Sequence, residues 1–251
     1  MGESRSDSST FALSRFSQTS RRRRRARSRG MTLLEVLVSL GVLAMISLLI
    51  YGAFDSLSRG RKGEALRVDR ARQGRDAMDR ITREVSSAFL SMHNPASQAL
   101  ITRQTAFIAT NGVAFDRLDF VSFAHRRVEK EAKESDQAEI GYFVVKDPDK
   151  EDKMDLVRRE QANPDFEPKR GGVVNVLAED IEMFDLRFLD PVSGQWIENW
   201  DTTQLTGQLN RLPIEVKVTL VLKPVKNSPP FRFMTKFILP MQQPLSFGIP
   251  R

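Results

Sequence analysis

No cysteine occurs in the 251 residues, which excludes a disulfide framework, a thiol nucleophile and a CxxC metal site. Histidine is nearly as scarce. His93 and His125 stand alone, outside any HExxH spacing, and no GxSxG element offers a serine nucleophile its usual setting. A positive field is also missing from most of the chain. The formal charge is +7, but residues 1–30 hold nine of the 39 basic residues and two of the 32 acidic ones, Glu3 and Asp7, leaving 30 of each from Met31 onward. Charge that cancels in this way does not hold a phosphate backbone, so no nucleic-acid partner is expected. Catalytic, cofactor-binding and metal-binding sets are likewise not expected.

What is present begins with a basic arm. Residues 1–30 are rich in Ser and Arg, offer little apolar surface beyond Phe11, Leu13 and Phe16, and end in Arg21 to Arg25, Arg27 and Arg29. Such a segment cannot bury enough surface to fold. Directly after it, Val36 to Phe54 runs 19 residues without a charge. As a helix, the wider apolar stretch 31–54 is long enough to cross a hydrocarbon layer of roughly 30 Å. Seven arginines lie in the ten residues before Met31, against Arg59 and Arg61 in the ten after Tyr51, so the arm is expected to stay cytoplasmic and the rest to cross. A cleaved secretory signal has the same basic-then-apolar form, yet Tyr51-Gly52-Ala53 puts a bulky ring where a small residue belongs.

Glu35 is the anomaly in this span, because a carboxylate near the start of a membrane helix is costly unless something offsets it. One answer is snorkelling to the interface. The other starts from Gly30-Met31-Thr32-Leu33-Leu34-Glu35: cleavage between Gly30 and Met31 creates an ammonium four residues before Glu35, on the same helical face. Glu35 then also stands in the first turn, where the helix end favours negative charge.

Past Phe54 the chain becomes charged without breaking. Ala71, Gly74, Met78, Ile81, Val85, Ala88 and Met92 recur at spacings of three and four, which predicts that the helix continues in amphipathic form, one helix running from about Leu34 to about Met92, stopped by Asn94-Pro95 and weakened at Gly60 and Gly63. The period then changes to two. Leu118, Phe120 and Ser122 alternate with Asp119, Val121 and Phe123, and Ile140, Tyr142 and Val144 with Gly141, Phe143 and Val145. A loop at 147–153 leads to a strand at Met154 to Arg159. Phe184, Leu186 and Phe188 precede an Asp190-Pro191-Val192-Ser193-Gly194 turn and a return through Gln195-Trp196-Ile197. The clearest strand carries Ile214, Val216, Val218, Leu220 and Leu222 on one face, with Phe231, Phe233, Thr235, Phe237 and Leu239 as its partner. An antiparallel sheet with one buried and one wet face is expected.

Two further clusters invite a site. Asp147, Asp149 and Glu151 alternate as calcium ligands do, but Asp152 stands where the loop needs glycine and Arg158 where it needs a bidentate glutamate, so a solvated turn is expected. Trp196 and Trp200 could anchor a partner, as large rigid aromatics do, but are read first as core fillers.

The arginine-rich leader, Gly30, the Met31-Thr32-Leu33-Leu34-Glu35 run and the unbroken helix together resemble the N terminus of type IV pilin-like proteins. Within that class the head is similar to the J family of bacterial type II secretion minor pseudopilins, on Val176-Leu177-Ala178-Glu179-Asp180-Ile181 with Phe184 to Phe188, on Gly194-Gln195-Trp196 with Trp200, and on Leu212-Pro213-Ile214-Glu215-Val216. The resemblance implies an α+β pilin-like fold: leader 1–30, transmembrane helix 31–54, amphipathic helix 55–94 and a β-rich periplasmic head 95–251. It implies that Gly30 precedes a prepilin peptidase cut, that Met31, in place of the usual phenylalanine, is then N-methylated, and that Glu35 serves assembly. The chain would be the peptidase's substrate and no enzyme itself. Implied partners are the minor pseudopilins I and K, the major pseudopilin and an inner-membrane assembly platform. The implied place is the tip of a short pseudopilus on the bacterial inner membrane. The alternatives are a minor pilin of a type IV pilus and, further off, a membrane-tethered enzyme.

Overall fold

The computed structural model describes residues 30–92, 105–126, 135–165, 167–226 and 228–245. The arginine arm, His93 and the Asn94-Pro95 stop lie outside the described residues. The chain forms two compact units, Met1–Asp55 and Ser56–Arg251. One 54-residue helix, α1 (Leu33–Ser86), contributes to both. It passes through Gly60 and Gly63 without interruption.

In the first unit every helical residue is exposed, so the charge-free run presents apolar surface on all sides. In the second unit α1 is amphipathic: Gly74, Ala77, Met78, Ile81, Glu84 and Val85 are buried at spacings of three and four, a single face. The helix stops at Ser86, short of the expected Met92. The Ser86 and Ser87 hydroxyls donate to the Arg83 carbonyl, both at 3.1 Å, and offer the backbone an alternative to another turn. The chain then passes to sheet-like pairing, with the Phe89 amide donating to Val121 and the Phe123 amide to Ser87. Ala88 is thus buried but not helical, and Met92 is exposed.

The expected single sheet is two. The first holds β1 (Phe107–Thr110), β2 (Arg117–Ser122), β3 (Ala138–Lys146), β4 (Met154–Gln161), β5 (Val173–Ala178) and β8 (Trp200–Asp201) in the order β5-β4-β3-β2-β1-β8. The second holds β6 (Ile181–Leu189), β7 (Trp196–Ile197), β9 (Glu215–Leu222) and β10 (Phe231–Ile238) in the order β10-β9-β6-β7. Among the described residues every pairing between these strands is antiparallel. Aromatic rings link the two: Phe107 of β1 meets Phe188 of β6 edge to face at 5.8 Å, and Phe188 lies 6.1 Å from Trp200.

The expectation of one wet face fails for the first sheet. Leu118, Phe120 and Tyr142 face the hydrophobic core, as their alternation requires, but Asp119 and Val121 on the other face are buried as well. Asp119 accepts from Arg117 at 2.6 Å and from Arg159 at 3.3 Å, and Arg159 also donates to Glu139 at 2.7 Å. The carbonyls of Pro168, Arg170 and Gly171 accept from the two terminal nitrogens of the Arg159 guanidinium. A chain segment therefore covers the outer face and meets most of its charged atoms, leaving Glu139 Oε2 and Arg159 Nε buried without a hydrogen bond. Gly141 belongs to this arrangement, since a Cβ there would lie 2.6 Å from the Asp119 carboxylate.

Candidate processing and assembly site

The Gly30 to Glu35 stretch forms a helix start. Gly30 is exposed, with open space around the place a Cβ would take, and Met31 is exposed beside it. Thr32 is the cap: its carbonyl and its hydroxyl oxygen accept from the Glu35 amide at 3.0 and 3.3 Å. Leu33 is the first helical residue, which makes Glu35 the third, the position a capping box gives to glutamate. Met31 is not helical here, so it does not share a helical face with Glu35 in the 251-residue chain. Within the run, the Ser39 and Ser47 hydroxyls donate to the carbonyls of Glu35 and Leu43 at 2.7 and 2.8 Å, which satisfies both on their own helix. The site thus offers an accessible glycine-methionine bond, a carboxylate at the helix N-terminus, and a helix long and apolar enough to cross a membrane.

The head's ionisable groups are mostly tied to one another. Glu84, on the buried stripe of α1, accepts from Arg158 at 2.8 Å and from the Tyr142 hydroxyl at 2.5 Å. Burial and the neighbouring Glu84 carboxylate push the Tyr142 hydroxyl well above its ordinary value. Burial opposes the ionisation of Glu160, but Arg158 at 2.5 Å and His125 at 2.9 Å outweigh it and hold that carboxyl below its ordinary value. A cleft of about 600 Å³ opens over this group, lined by Arg80, Arg83, Phe123, His125 and Arg126 among others. Its two carboxylates are salt-bridge acceptors, Glu160 being more acidic than usual, whereas a general acid at neutral pH needs the opposite shift.

The remaining candidates separate. Asp147 accepts from the amides of Asp149 and Lys150 at 2.8 and 3.1 Å, as a turn residue does, while the Lys153 ammonium at 2.7 Å holds its carboxyl down to about 2. Lys153 also contacts Asp155 and Glu179, so an ammonium sits among these carboxylates. Among the described residues no group of three or more His, Asp and Glu side chains is arranged to hold a metal ion. Trp200 fills the core, but Trp196 is 39% exposed, with the Lys236 ammonium 4.9 Å from its ring centre.

Sequence reasoning missed the buried charges. Arg158-Arg159 carried a signal: consecutive residues of a strand face opposite ways, so one of two adjacent arginines in a sheet turns inward. Glu84 carried another, standing between Ile81, Val85 and Ala88 on the apolar stripe.

Comparison with known proteins divides the chain in two. The model of type II secretion system (T2SS) protein J matches residues 52–230, and the model of the prokaryotic N-terminal methylation motif matches residues 25–51. No curated protein matches the chain in sequence. Among solved structures it is similar to a chain of the GspK-GspI-GspJ complex from the type 2 secretion system of enterotoxigenic Escherichia coli, at 16% identity and a TM-score of 0.44, covering 68% of this chain and 98% of that one. It is also similar to the type IV-like pilin TTHA1219 from Thermus thermophilus, at 11% identity and a TM-score of 0.39, covering 69% of this chain and 94% of that one. Likenesses this distant carry no argument about function.

Proposed function

From the premise that this chain belongs to the type II secretion system protein J family, and so is a minor pseudopilin, we propose how its parts serve that role. The carrying observation is the match over residues 52–230. The methylation motif alone is common to pilins and pseudopilins, whereas the head match favours secretion over a pilus.

In this reading residues 1–30 are a cytoplasmic leader, and a prepilin peptidase cuts after Gly30. Support comes from the exposed Gly30-Met31 bond and the arginines before it. Met31 becomes the methylated N-terminal residue. Residues 31–54 anchor the protein in the inner membrane, and the head stands in the periplasm, where it joins the minor pseudopilins I and K. The major pseudopilin and the assembly platform complete the apparatus. Glu35, set in the first helical turn, supplies the counter-charge for a Met31 ammonium, its own or a neighbour's, in lipid. Unpaired charges in such a setting cost at least about 2–3 kcal/mol.

The test combines mass and assembly. Protein extracted from membranes of cells holding the peptidase is expected to begin at methylated Met31, and an uncut Met1–Arg251 chain from such cells would overturn the cleavage. Glu35→Gln keeps the shape and removes the charge. It is expected to be cut and inserted normally but recovered poorly in crosslinked complexes, and parental crosslinking and secretion would make Glu35 a snorkelling group instead.

A further inference from the structure

Within the second unit α1 is not evenly charged. From Val68 to Ser86 five arginines stand against four acidic residues, whereas from Ser56 to Arg67 the helix carries Arg59, Arg61, Lys62 and Arg67 against Glu64 alone. A balanced mixture is what a solvated helix face holds, but an excess of one sign repels itself. The fold then adds another cation. Lys226, in the loop after β9, lays its side chain on the helix at Gly63: a Cβ on that glycine would lie 3.6 Å from the Lys226 Nζ and 3.9 Å from its Cδ. Arg59 and Arg67 stand one turn to either side of Gly63 and share the face that Lys226 covers. The counter-charge in reach is thin. Glu64 lies 3.8 Å from Arg67, with both side chains largely in solvent, a contact worth little. Among the described residues no carboxylate forms an ion pair with Arg61, Lys62 or Lys226.

Position along the chain says which anion fits. The apolar run ends at Phe54, and Arg59, Arg61 and Lys62 follow it within eight residues. A chain leaving the hydrocarbon must pass the headgroup layer, roughly 5–8 Å deep on each side of a bilayer, before it reaches water. Eight helical residues cover about 12 Å, and long basic side chains reach back toward the interface, so these cations meet that layer. Its chemistry is the phosphodiester, whose oxygens accept from guanidinium and ammonium donors and carry the charge they lack.

We infer that Arg59, Arg61, Lys62 and Arg67, with Lys226 laid beside them, bind the phosphodiester headgroups of anionic phospholipids. The site rests on the anchoring of residues 31–54 in a bilayer, holds for either orientation of the chain, and needs no partner protein.

The test places the 251-residue chain in nanodiscs of phosphatidylcholine, alone or with rising fractions of phosphatidylglycerol, labels its lysines with an amine-reactive reagent and maps them by mass spectrometry. A basic residue near an anionic surface is worth roughly fivefold in binding. Phosphatidylglycerol is expected to slow the labelling of Lys62 and Lys226 by at least about fivefold, and to leave Lys236, on the exposed face of β10, unchanged. Reading single lysines separates this site from the arginine arm, which attracts the same lipid. In Lys226→Gln the phosphatidylglycerol fraction that half protects Lys62 should rise about fivefold. Inorganic phosphate added to phosphatidylcholine discs should protect neither lysine. Labelling of Lys62 and Lys226 that ignores phosphatidylglycerol, protection of Lys62 unchanged in Lys226→Gln, or protection by free phosphate would each overturn the lipid site and leave the anchor standing. A chain that does not enter the discs would overturn both.

Discussion

Tyr142 reports on the buried charges of the head. Its hydroxyl donates to Glu84, itself held by Arg158, in a fully buried setting where an ionised phenol would stand beside a carboxylate. Ionisation is therefore resisted in the folded state and free in the unfolded one, where a phenol titrates near 10. A folded value raised in this way means the stabilising contribution is whole below about pH 10 and is lost as the pH climbs from there toward the folded value. The head's urea midpoint is accordingly expected to fall above about pH 10, and Tyr142→Phe should flatten that fall while costing stability at neutral pH, where Glu84 loses a donor. Tyr51, the other tyrosine, lies in the apolar run, so absorbance near 295 nm of a fragment from Ser56 onward follows Tyr142 alone. Phenolate signal at pH 10 without unfolding would refute the expectation.

At the scale of elements, the strands marked by an alternating apolar pattern or by an adjoining turn were legible, and the others were not. β9 and β10 fall where Val216 to Leu222 and Phe231 to Phe237 put them, and β2, β3, β4, β6 and β7 lie where their patterns or turns require. β1 has four residues and β8 two, too few to show a period, and β5 is exposed on both faces, so nothing in it alternates. That the strands divide into two sheets depends on contacts between distant segments, which no local pattern encodes. The charged pairs of the first sheet were hidden because a charged residue in an alternating strand reads as outward. The Gly30 to Glu35 start was readable because its logic is local: a cap, a first-turn carboxylate and a run of apolar residues. Gly74 of α1 shows what only packing reveals. A Cβ there would fall 2.1 Å from the ring of Phe233 on β10, so the glycine lets strand and helix approach. Gly74→Ala is expected to push that ring off the helix at about 1–3 kcal/mol, since the gain in helix propensity is smaller than the overpacking. Phe233→Leu in the same chain should recover part of the loss. Chemical denaturation of the four members of the cycle checks this, and additive effects would mean that the two residues do not press on each other.

The whole molecule divides chemically where it divides structurally. The first unit takes the arginine-rich arm with its surplus of positive charge and the helical run that is apolar on every side, and the second keeps the core. Glu35 and Asp55 fall in the first unit, so residues 56–251 hold 30 basic and 28 acidic side chains and are close to neutral. The helix from Ser56 onward buries a stripe at Gly74 to Val85, which supports the sheets without help from the apolar run. A fragment Ser56–Arg251 is therefore expected to fold and stay soluble without detergent, with a cooperative urea transition. If the partners proposed above are right, that fragment should bind purified heads of the companion pseudopilins I and K, and it should ignore duplex DNA because its charges cancel. Titration by calorimetry or fluorescence decides the matter, and an absence of binding to either head at about 100 μM, weaker than −5.5 kcal/mol or so, would set the partner assignment aside. Binding to DNA that weakens steeply with salt would instead show that the even balance of charge hides a basic surface.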